Sequence, residues 1–144
     1  MLAEENAMQV DVIGGSCLCG SVKFEVTPPF IAFRYCHCSR CRKASGSAHA
    51  ANLFVPQHQF AWLQGEESVR RFDVPDAQRF SVWFCGQCGC RVPHKVRDRD
   101  DFLIPAGLLD ADPILRPQNS IFWASKASWY VEPRQMPLFS EYPE

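Results

Sequence analysis

The sequence has little that would commit it to a membrane, a polyanion or a long helix. None of its 144 residues belongs to an apolar run approaching the roughly 20 residues of a membrane span. Its formal net charge is −1, so no global field calls for nucleic acid or an acidic lipid surface. The opening MLAEENAMQVDVIGG carries acidic residues and no apolar run of signal-peptide length. The expected compartment is therefore cytoplasmic, with no membrane association and no nucleic-acid partner. Internal repeats, low-complexity linkers and long amphipathic helices are also missing.

Cysteine is what the sequence has in excess, at eight residues. In a reducing compartment such a set serves metal binding more readily than disulfides. A disulfide framework is the alternative, and the ligand-like spacing described below argues against it. The length suits one domain, expected over residues 14–144 behind an N-terminal arm of residues 1–13.

Short strands dominate the pattern. In SVKFEVT, residues 21–27, Val22, Phe24 and Val26 alternate with Lys23 and Glu25, as in a half-buried strand. Pro28-Pro29 ends it. Residues 30–35, 48–55, 79–85, 91–96 and 102–104 read as further strands. Residues 60–63 and 69–72 flank Gly65 and are predicted to form a hairpin. Residues 39–45 are predicted to form a short helical turn closed by Gly46. The end of the chain, residues 121–142, is rich in Pro and aromatics and is expected to wrap the core. The fold class is all-β: several short antiparallel strands in small packed sheets, containing zinc, with little helix.

The cysteines form three groups: Cys17-Leu18-Cys19-Gly20, Cys36-His37-Cys38-Ser39-Arg40-Cys41 and Cys85-Gly86-Gln87-Cys88-Gly89-Cys90. With Zn–S near ~2.3 Å, tetrahedral sulfurs lie only ~3.8 Å apart. A flat strand holds residues i and i+2 too far apart for that, so Cys17-Leu18-Cys19 must bend. Gly20 and Gly89, each after the second Cys of a pair, can take positive φ and turn backbone N–H groups toward the thiolates. Cys17, Cys19, Cys85 and Cys88 thus make a closed four-thiolate zinc site whose role is folding. The middle group differs, because Arg42 and Lys43 rather than Gly follow Cys41. Cys38 and Cys41 share one face of a helical turn, and Cys36 joins them from the preceding strand. Three thiolates with an open fourth position is a catalytic zinc pattern.

The strings GGSCLCGSVKFEV, CHCSRCRKASGSAHA and FCGQCG, in that order, resemble the glutathione-dependent formaldehyde-activating family, as does the ending SKASWYVEPRQMPLFSEYP. The resemblance implies an all-β zinc fold with two zinc ions per chain. One would be structural, on Cys17, Cys19, Cys85 and Cys88; the other would sit at an active centre on Cys36, Cys38 and Cys41. It implies a carbon–sulfur lyase activity on a small-molecule thiol, such as glutathione, or its aldehyde adduct. A centromere-associated protein carries a domain of this family. The alternative is therefore a non-catalytic zinc module that binds protein or nucleic acid.

Around the middle group, Arg34, Arg40, Arg42 and Lys43 offer charge for an anionic substrate such as the glutathione carboxylates. Ser45 and Ser47 offer donors for an oxyanion, and their bland role is a helix stop and turn. Trp129 is the tail aromatic expected to line the site. Two residues are candidates for the fourth position. Cys90 serves either as a ligand or as a buried thiol, and His49 as a ligand, a general base or a hydrogen-bonded histidine. His37 is expected to make a supporting hydrogen bond. His58 and His94 carry no signal.

Overall fold

A computed structural model describes residues 11–143. Its strands form three small sheets. β1 (Ile13–Ser16), β2 (Lys23–Val26) and β5 (Phe60–Gln64) make an antiparallel sheet with β2 in the centre. β3 (Ala32–Cys36), β4 (Ala50–Pro56), β9 (His94–Lys95), β10 (Asp101–Pro105) and β11 (Asn119–Ile121) make a second, in the order β11-β3-β4-β10-β9. β6 (Val69–Asp73), β7 (Ser81–Cys85) and β8 (Arg91–Val92) make the third. Among these pairs only β11 on β3 is parallel. The α-helix α1 (Ser39–Ser45) follows β3 directly. No described helix is long and apolar enough to cross a membrane.

The five-stranded sheet is used on both faces, and strand alternation sorts its residues between them. Phe33, Leu53, Val55, Phe102 and Ile104 face the first sheet and pack with Ile13, Phe24 and Val26 into the main core. Arg34, Cys36, Asn52, Phe54, Leu103 and His94 line a cavity on the opposite face, against residues of the third sheet. A smaller core of Cys17, Val22, Cys85 and Val92 joins the first sheet to the third.

Two expectations need correction. Residues 60–63 and 69–72 do not form a hairpin: β5 pairs with β2, whereas β6 pairs with β7. Gly65 sits between them at φ 80°, where an added Cβ would lie 2.1 Å from the Ser21 carbonyl oxygen. The turn there carries the chain from one sheet to another. The aromatic end does not wrap the core either. From residue 122 to 143 only Ala127 is buried, while Trp129, Leu138 and Tyr142 are exposed. Pro133 and Pro137 lack the N–H that a continuing strand needs, and no strand follows Ile121 among the described residues. At the other end, β1 begins at the buried Ile13, and residues 1–10 of the expected arm lie outside the described residues.

Candidate metal centres

The two glycine-terminated turns have matching geometry. Gly20 N–H donates to the Cys17 carbonyl at 3.0 Å, and Gly89 N–H to that of Cys85 at 2.8 Å. Their φ angles are 82° and 77°, the left-handed values a side chain would resist. Each turn aims a backbone N–H at a sulfur: Val22 at Cys17 Sγ (3.3 Å) and Gln87 at Cys85 Sγ (3.4 Å). Cys17, Cys19, Cys85 and Cys88 bring their sulfurs within 4.8 Å of one another. The separations Cys17–Cys19 (3.7 Å) and Cys19–Cys85 (3.9 Å) match the ~3.8 Å edge of a tetrahedral zinc–thiolate site. The donor set therefore fits zinc. The Ser21 hydroxyl bonded to Cys85 holds that thiol down at about 6.

The middle group is assembled differently. Cys36 ends β3, Cys38 caps α1, and Cys41 lies within its first turn. The Cys41 N–H donates to Cys38 Sγ at 3.3 Å. Gly46, in the left-handed conformation, closes the helix by donating to the Arg42 carbonyl at 2.8 Å. The helix thus spans the residues predicted from sequence. The three sulfurs lie within 4.8 Å of one another, and no fourth His, Cys, Asp or Glu joins them among the described residues. They share protons unequally. A hydrogen bond from Cys41 draws Cys36 down to about 6, aided by Arg91, while that same bond and burial push Cys41 far up. Such a cluster could hold a cation in place of its protons.

Neither candidate for a fourth ligand reaches the group. Cys90 packs beside Cys17 and Cys85 and points its thiol at the Arg91 carbonyl, 3.3 Å away. His49 stacks on Tyr35 at 4.3 Å and places Nδ1 3.2 Å from the Ala50 carbonyl. The His37 ring makes no hydrogen bond, although the backbone N–H donates to the Ile121 carbonyl at 3.0 Å. It is fully buried against His49, Trp123 and Tyr130, with both ring nitrogens unpartnered.

Cys36, Cys38 and Cys41 open on the cavity, of about 680 Å³. Of the residues singled out from sequence as candidates for binding substrate, Arg34 and Arg40 line it; Arg42, Lys43, Ser45, Ser47 and Trp129 do not. The Ser45 hydroxyl donates to the Cys41 carbonyl and that of Ser47 to the His49 carbonyl, each at 2.7 Å. The tail aromatic on the cavity wall is Phe122.

Among the lining residues that escaped the sequence reading are Asn52, Arg79, Arg91 and His94. A signal existed for one. Asn52 breaks an otherwise apolar strand at a position facing away from Leu53 and Val55. Arg91 and His94 required knowledge of how β8 and β9 lie.

Burial, with Arg91 and Arg71 nearby, lowers His94 to about 3. The folded protein thus keeps His94 neutral where the unfolded chain, with a histidine pKa near ~6.5, takes up a proton. Stability falls as pH drops through that window, by at most ~1.4 kcal/mol per pH unit. Denaturant titrations of the zinc-loaded protein between pH 6 and 4 are expected to show a shallower acid slope in His94→Gln. Parallel slopes would remove His94 from the acid response.

The family described as glutathione-dependent formaldehyde-activating enzyme matches residues 12–125. A Halomonas elongata protein, provisionally named as such an enzyme, is 48% identical over 44 residues. That match covers 29% of this chain and only 28% of the relative. A crystal structure of a Rhodobacter sphaeroides protein superposes with a TM-score of 0.57 at 25% identity, over 74% of this chain and 98% of that one.

Proposed function

We propose, on the premise that the chain belongs to the glutathione-dependent formaldehyde-activating enzyme family, that its three-cysteine group is the active centre of a zinc-dependent carbon–sulfur lyase. Its substrate would be a thiol such as glutathione, with the corresponding aldehyde adduct. The observation that carries this reading is the contrast between the two clusters. The four-cysteine group has a full tetrahedral donor set and lies away from the cavity lining, whereas the three-cysteine group faces the cavity with one donor fewer.

In this reading Cys17, Cys19, Cys85 and Cys88 hold a structural zinc, and Cys36, Cys38 and Cys41 hold the second. Zinc bound there supplies Lewis acidity and favours the thiolate form of an incoming thiol. Arg34 and Arg40 receive carboxylates of the substrate. Phe54, Phe80 and Phe122 give the cavity apolar walls that exclude water and hold the thiol and carbonyl carbon together. All eight cysteines are unpaired, which suits a reducing cytoplasm.

The exposed Trp129, Leu138, Phe139 and Tyr142 support a second reading, a zinc module that docks a protein through its tail. Turnover separates the two. Zinc-loaded protein mixed with glutathione and formaldehyde is expected to speed formation of S-hydroxymethylglutathione, followed by NMR. No acceleration with glutathione or any other thiol would favour the docking module.

A further inference from the structure

The charge of the cavity goes beyond what a generic thiol requires. Arg34 from β3, Arg40 from α1, Arg91 from β8 and Arg79 from the segment before β7 converge on it, and no Asp or Glu lines it. None of the four takes part in an ion pair among the described residues. Arg34 and Arg91 instead lie over the Phe54 and Phe80 rings, at 6.0 and 5.9 Å. Three thiolates around a divalent cation carry one net negative charge, which leaves most of this positive charge unmatched. Arg91 is the most enclosed of the four: its Nε is buried without a partner, and the opposite charges beside it are the cluster thiols. Asn52 is 5% exposed, and its Oδ1 is also unpartnered.

A guanidinium whose buried Nε lacks a partner calls for a carboxylate. An unpartnered amide oxygen calls for a donor, and in a field of excess positive charge a neutral O–H or N–H suits it better than an ammonium. We propose that this cavity selects a mercapto acid, a thiol that carries a carboxylate and no ammonium group, and that Arg91 recognises the carboxylate while Asn52 takes a neutral donor of the ligand. This deepens the proposed function and rests on the cavity being the substrate site. Glutathione meets it only in part, since its carboxylates find arginines while its ammonium finds no acid on the wall.

The test compares three small thiols by calorimetry on zinc-loaded protein: 3-mercaptopropionate, 2-mercaptoethanol and cysteamine. The acid is expected to bind about tenfold or more tighter than the neutral thiol, with the amine weakest. Arg91→Gln is expected to lower the preference of acid over neutral thiol several-fold, with Arg34, Arg40 and Arg79 still in place, and Arg91→Lys to restore part of it. Because the preference is a ratio within one variant, a general weakening of the metal site cancels. Far-UV circular dichroism and zinc content check that each variant is folded and loaded. Equal affinities for the three thiols, no binding of any, or an unchanged preference in Arg91→Gln would overturn the proposal. Failure of glutathione turnover with the preference intact would sink the formaldehyde reaction and leave this selectivity standing.

Discussion

Cys85→Ser is expected to unfold the domain rather than merely lower its zinc content. Cys85 has no exposed surface and ends β7, and its sulfur is 3.9 Å from that of Cys19 in the loop between β1 and β2. The cluster therefore ties the first sheet to the third. The core around it is small, with Cys17, Val22 and Val92 as its other buried members. Structural zinc in small domains contributes about 10–16 kcal/mol of apparent binding energy. A whole domain has net stability of only about 5–15 kcal/mol, so losing a ligand here removes a decisive share. Thermal melts followed by circular dichroism, with zinc per chain measured alongside, are expected to show no cooperative transition near the wild-type temperature. A chelator should act on the wild type in the same way. A cooperative melt close to wild type in Cys85→Ser would show that the sheets hold together without this centre.

Cys36→Ser is expected to do the opposite, leaving the fold intact and abolishing the chemistry. Cys36 lies at the end of β3, whose pairing with β4 runs over five residues and whose core-facing Phe33 packs on the other face of the sheet. Losing its thiolate leaves these interactions in place. The expected loss is a small stability change, one of two zinc ions, and turnover reduced by ~100-fold or more. The last figure follows because even residues supporting a metal ligand cost 10–100-fold when changed. Zinc per chain, the melting temperature and the glutathione–formaldehyde rate check the three parts. Unfolding on this substitution would instead mark both centres as structural and favour the docking module.

Much of the site was legible because its parts are local. Cys38, Cys41 and Gly46 lie within one seven-residue helix and its two caps, so spacing alone predicted their arrangement. The same holds for the turns at Gly20 and Gly89, where a bend demanded by zinc–sulfur geometry coincides with the residue that permits it. The all-β class follows equally from strand alternation, as at Phe24 and Val26, which are buried as predicted. What failed was non-local. Gly65 was read correctly as a turn, but a turn does not specify which strands pair on either side of it. The aromatic tail was assigned to the core from composition, and composition says nothing about whether a surface remains for it to cover.

The sequence by itself thus determined the grouping of the cysteines into a pair of turns and a separate trio, and the strand-rich class, because these depend on backbone conformations a few residues long. The tertiary structure decided what the trio faces. It keeps Cys90 and His49 out of the three-thiol group, carries Trp129 to the surface, and gathers Arg79, Arg91, Asn52 and His94 around a cavity. Those residues come from separate strands and loops, and only sheet pairing and the packing of one sheet against another bring them together.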